Sequence, residues 1–66
     1  MEHRIKVLRA SFGLTQEQLS ERVGVSRQTI ISIENGRYNP SLELAYKIAK
    51  VFGCYIEEVF IFDKGE

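Results

Sequence analysis

Arg27, Gln28, Ser32 and Asn35 lie close together in the chain, and all carry side chains suited to directed hydrogen bonding. Arg presents two parallel donors that match the O6 and N7 acceptors of guanine, while Gln pairs a donor with an acceptor against adenine. Ser bonds to either, and an exposed Ile such as Ile31 meets a thymine methyl. With successive residues about 100° apart on a helical wheel, Arg27, Gln28, Ile31, Ser32 and Asn35 share one face and Ile30 and Ile33 fall on the opposite one. The polar face carries no acid, whereas a merely solvated surface mixes in Glu and Lys. Such a face predicts contact with base edges in the major groove of a duplex.

Other reactive side chains lack the partners that chemistry would need. No nucleophile–base pair or phosphate-cradling glycine loop is visible, which argues against an enzyme. No Cys/His set has metal-ligand spacing, so neither a metal nor another cofactor is expected. His3 stands near a terminus without a second His or a Cys. Cys54 follows a helix-ending Gly, and the nearby Glu57 and Glu58 have the wrong sign to stabilise a thiolate. Glu57 and Glu58 themselves read as solvated acids on a short helix. Tyr38 has two readings, stacking on a sugar-phosphate backbone or covering its own loop.

The elements that must hold the polar face follow from hydrophobic spacing and punctuation. A first helix is predicted from about His3 to Phe12, with Ile5, Leu8 and Phe12 on its buried face. Gly13 ends it. Thr15 with Gln18 forms a capping-box pattern at the start of the second helix, whose buried stripe is Leu19 and Val23. Gly24 stops that helix, and Ser26 caps a third running to about Asn35. Gly36 closes the third helix, and Pro40 holds Asn39 out of helical geometry. Ser41 caps a fourth helix with Leu44, Ala45, Ile48, Ala49 and Phe52 inward, ended by Gly53. A fifth, short helix is expected from about Ile56 to Phe60, before a tail over 61–66. Two helices joined by a short Gly-containing turn form a helix-turn-helix. Gly24 suits the positive-φ position, Ser20 the close crossing, and Leu19, Val23, Val25, Ile30 and Ile33 the contacts that set the angle.

Length and composition bound these readings. At 66 residues one all-α domain over 1–66 is expected. So short a chain buries only about 60% of its unfolded surface. A single Cys provides no internal disulfide, which leaves oligomerisation as the extra source of stability. Nine basic and nine acidic residues cancel, but residues 1–40 carry all five arginines, and a neutral chain binds a polyanion through a locally positive face. No signal peptide and no apolar run of membrane-spanning length is present, so a cytoplasmic protein without membrane contact is expected.

The stretch LTQEQLSERVGVSRQTIISIENGRYNPSLELAYKIAKVFG, with LTQ, GVSRQTI, IENG and NPSLELA in order, resembles the phage Cro and repressor-type helix-turn-helix proteins, the Xre family. The likeness covers about residues 5–60, with the helix-turn-helix itself at about 16–35. It implies a five-helix, lambda-repressor-like fold and sequence-specific binding to double-stranded DNA as a transcriptional regulator. Carried over, Ser26, Arg27, Gln28 and Ser32 read base edges. Gln16 touches a phosphate and braces the recognition helix, Thr29 joins the positioning contacts, and Asn35 and Arg37 grip phosphates beyond that helix. Arg9 and Glu34 match a largely buried ion pair between the first and third helices. Two positions depart from the pattern: Ile31 is usually polar, and Tyr55 stands where Ser, Thr or Pro commonly starts the fifth helix.

Val59, Phe60, Ile61 and Phe62 place four large apolar residues in a row, more than a small monomer covers. They are expected to form a homodimer interface, with a short strand paired to its twofold mate or to the N-terminal residues. A dimer in turn implies an approximately palindromic operator. The rival reading is an antitoxin-like or protein-interaction module on the same fold; a long appended tail would favour it, and only about six residues follow the fifth helix. With one domain, no small-molecule ligand is expected.

Overall fold

Three of the five helices begin on a hydroxyl that folds back onto the backbone. The computed structural model describes residues 2–61. In it Thr15 Oγ1 accepts the Gln18 N–H at 3.0 Å while Gln18 Oε1 accepts the Thr15 N–H at 2.9 Å, a complete capping box at the head of α2 (Gln16–Val23). Ser26 Oγ accepts from Thr29 N at 3.2 Å at the head of α3 (Arg27–Glu34), and Ser41 Oγ accepts from Leu44 N at 3.2 Å at the head of α4 (Leu42–Val51). Each bond satisfies one of the donors that a first helical turn leaves without a partner.

The remaining helices, α1 (Ile5–Phe12) and α5 (Ile56–Val59), start differently. α1 begins two residues later than the sequence pattern predicts, because Glu2–His3 forms a strand, β1, paired antiparallel with β2 (Phe60–Ile61). Of the two pairings expected for the tail, the chain therefore uses the N-terminal one. Arg4 N donates to Val59 O at 2.8 Å and carries the connection into α1. At α5 the Tyr55 phenol makes no cap; instead the Glu58 carboxylate accepts the Tyr55 N–H at 2.7 Å. Glu58 is thus a capping residue as well as an exposed acid, and its position three residues after Tyr55 is the signal that sequence reading passed over.

The core is one cluster in which Ile5, Leu19, Ile30, Ile48 and Val59, one from each helix, are fully buried. Phe60 joins them from β2. One expectation fails at the end of α1. Phe12 is 52% exposed and meets Phe52 edge-on at a centroid distance of 5.3 Å, so it lies at the rim of the core with one side covered. Ser20 is buried at the α2–α3 crossing, where its hydroxyl donates to Glu17 O at 2.7 Å and needs no outside partner. Among the described residues the chain is an all-α fold of five helices with a two-residue strand pair between Glu2–His3 and Phe60–Ile61, the five-helix arrangement that the family resemblance implies.

Candidate nucleic-acid interface

α2 and α3 are joined by Gly24, Val25 and Ser26, and the geometry of this turn decides where α3 points. Gly24 closes α2 at φ 77°, and its N–H and that of Val25 both reach Ser20 O, at 2.9 and 3.1 Å. Val25 packs partly buried against the core, while Ile30 and Ile33 seat α3 on it. With that side anchored, Arg27, Gln28 and Asn35 are exposed and Ile31 and Ser32 half-buried.

The expected base-reading residues occupy this outward side, with one qualification at Ser26. Its hydroxyl accepts from Thr29 N and lies 3.1 Å from Thr29 Oγ1, which leaves it one further hydrogen bond. Arg27, Gln28 and Ser32 have no such commitment to the cap. Gln28 and Ser32 line a shallow groove of about 320 Å³ with Ser26, Thr29 and Tyr38. Asn35 caps the end of α3, and the Arg37 N–H donates to Ser32 O at 2.9 Å, tying the following loop back onto the helix.

The other flank is built around a buried carboxylate. Arg9 Nε donates to Glu34 Oε2 at 2.8 Å, and Arg9 Nη2 and Gln16 Nε2 both donate to Glu34 Oε1, at 3.2 and 3.1 Å. The Glu34 side chain is 2% exposed and that of Arg9 15%. Burial alone pushes the Glu34 carboxyl up, but the hydrogen bonds from Arg9 and Gln16 and the charges of Arg9 and Lys6 outweigh it and hold the group below the usual carboxylate range. Lys6 was not singled out from sequence; its place one turn before Arg9 on α1 was the available signal. Arg9 Nη1 also donates to Leu14 O at 2.9 Å, so the guanidinium binds the α1–α2 loop as well as α3. Gln16 therefore braces α3 with one amide N–H and retains a second. Beside it a cleft of about 530 Å³ is lined by Arg9, Thr15, Gln16, Glu17 and Arg27, at the start of α2 where backbone N–H groups favour anions.

The expected partner surface is corrected at two of its four residues. Val59 is 0% and Phe60 2% exposed, both packed in the chain's own core, so neither has surface to offer a second copy. Ile61 is 39% exposed, and Phe62 lies outside the described residues. Val59 is buried from α5, and the alternation of a strand separates Phe60 from Ile61, since successive side chains point to opposite faces.

No helix among the described residues is long and apolar enough to cross a membrane. The model of a family described as helix-turn-helix matches residues 5–59. An uncharacterized HTH-type transcriptional regulator of Archaeoglobus fulgidus is 61% identical over 66 residues, covering 100% of this chain and 93% of the relative. Among solved structures, the restriction-modification controller protein C.AhdI from Aeromonas hydrophila is similar with a TM-score of 0.80 at 33% identity, covering 86% of each chain. The N-terminal DNA binding domain of SinR from Bacillus subtilis gives a TM-score of 0.80 at 30% identity, covering 96% of this chain and 91% of that one.

Proposed function

The chain belongs to the helix-turn-helix family, and from that premise we infer that it is a transcriptional regulator that binds double-stranded DNA as a homodimer. The observation that carries this reading is the outward side of α3, which is free of acid and presents Arg27, Gln28, Ser32 and Asn35 from a helix seated by Ile30 and Ile33. In this reading α3 lies in the major groove with Arg27, Gln28, Ser32 and the remaining capacity of Ser26 toward base edges. Gln16, Thr29, Asn35 and Arg37 position it on phosphates. The similarity to a DNA binding domain supports the same docking. Residues 1–66 act as one helix-turn-helix domain in the cytoplasm, and the operator is approximately palindromic because two copies present the same face.

Selection of bound sites from random duplex DNA tests the reading directly. A short inverted repeat with half-site centres about 34 Å apart, one turn of the duplex, is the expected result. Recovery of no enriched sequence would overturn sequence-specific binding.

A further inference from the structure

A helix in the major groove is bordered by two phosphate strands about 12 Å apart, so a well-positioned reader needs contacts on both of its flanks. At about 100° per residue, Arg27, Ile31 and Glu34 fall on one flank of α3, and Gln28, Thr29 and Ser32 on the other. The first flank already holds Gln16, Arg9 and the cleft at the start of α2. The second borders the groove shared by Ser26, Gln28, Thr29, Ser32 and Tyr38.

Resting on the DNA-binding reading above, we propose that Tyr38 is the positioning contact of this second flank, its phenolic O–H donating to a phosphate oxygen of the neighbouring strand. Tyr38 is 46% exposed and lines both the α3 groove and a second one that it shares with Ser41, Glu43, Leu44 and Lys47, where Lys47 lies 3.5 Å from the Glu43 carboxylate. The loop that carries it is fixed on both sides, by Arg37 N on Ser32 O at 2.9 Å and by the Ser41 cap on Leu44 N at 3.2 Å. Pro40 restricts the residues between. These bonds run through the backbone and Ser41, and Tyr38 lines the same groove as Gln28. A ring so placed costs little entropy to order on binding, and a phenol donates to an anionic oxygen without carrying charge.

That neutrality separates Tyr38 from Arg37 experimentally. Binding to a selected operator and to random duplex is measured across salt concentrations for wild type, Tyr38→Phe and Arg37→Ala. Tyr38→Phe keeps the ring and is expected to bind both duplexes about tenfold more weakly, the low end for a hydrogen bond to a charged group. Its salt dependence stays that of wild type because no counterion is released, whereas Arg37→Ala lowers the slope by about one. Replacing operator phosphates singly by neutral methylphosphonate should then reveal one position that weakens wild type and leaves Tyr38→Phe unchanged. Tyr38→Phe binding within twofold of wild type overturns the contact, even if Tyr38→Ala is impaired, since the ring alone would then suffice. A lower melting temperature with unchanged affinity likewise makes the residue a cover for its loop. A wild-type chain that binds no selected duplex defeats the DNA reading itself, and the contact with it.

Discussion

Gln28 and Glu34 stand on the same helix with opposite duties, one facing out and the other held in. Gln28 is exposed at the groove, so Gln28→Ala is expected to leave the fold intact and, on the proposed reading, to remove one bidentate contact. The expected loss is about 1–3 kcal/mol on the best site, with relaxed preference at one base pair. Competition between single-base operator variants measures this; an unaltered preference profile would move the reading face elsewhere. Glu34→Gln instead acts on stability. Its carboxylate collects donors from Arg9 and Gln16 in a dry site, and breaking such a pair costs about 3 kcal/mol. That approaches the whole stability that a core of this size supplies, about 3–5 kcal/mol. The pH dependence has a definite sign. A carboxyl held low in the folded chain contributes stability above the ordinary Glu range and loses it as pH falls through the folded value. The melting-temperature gap between wild type and Glu34→Gln is therefore largest near neutrality and narrows in acid. A gap of a degree or less at neutral pH, or one constant with pH, would contradict this role.

For the paired helices, the angle between α2 and α3 rests on a backbone conformation rather than on space. A Cβ added at Gly24 would meet nothing within 4 Å, yet φ there is 77°. An L-residue in that left-handed region costs roughly 1–2 kcal/mol. Gly24→Ala should lower the melting temperature by about 5–10 °C in a domain of this length. D-alanine at the same position, introduced by chemical synthesis, prefers positive φ and should restore wild-type stability. Equal melting temperatures for L- and D-alanine would show that the conformation is not what selects Gly here.

Across the whole molecule, the principal extents are 34 × 22 × 19 Å, and one copy presents one recognition helix, α3. A single module reading a few base pairs discriminates poorly among genomic competitors, which is the reason a second copy is proposed. Within the chain, β1 and β2 already pair with each other, and Val59 and Phe60 are used in the core. Ile61 is an outward apolar residue of that corner, 39% exposed. Ile61→Asp is expected to shift a dimer toward monomer in sedimentation equilibrium at micromolar concentration, with little change in melting behaviour of the subunit. If wild type sediments as a monomer there and still binds its operator tightly and non-cooperatively, dimerisation at this corner is wrong.

Helix starts, the turn and the outward face of α3 were legible in the residues because each depends on neighbours within one turn. Thr15 with Gln18, Ser26 with Thr29 and Ser41 with Leu44 are three-residue relations, and the periodicity that assigns Ile30 and Ile33 to the core is equally local. The buried pair of Arg9 with Glu34, 25 positions apart, could be anticipated only from the family resemblance, since charge alone marks neither residue as buried. Other features required the packed chain. Pairing Glu2–His3 with Phe60–Ile61 was one of the two pairings open to the tail, and the sequence did not choose between them. That pairing decides which of Phe60 and Ile61 faces inward. Phe12 sits in an apolar stripe yet stays half exposed, because α1 runs to the rim of the core and Phe52 covers only one side of its ring. Local propensity sets each element, but which apolar face finds cover depends on where chain segments distant in sequence come to rest.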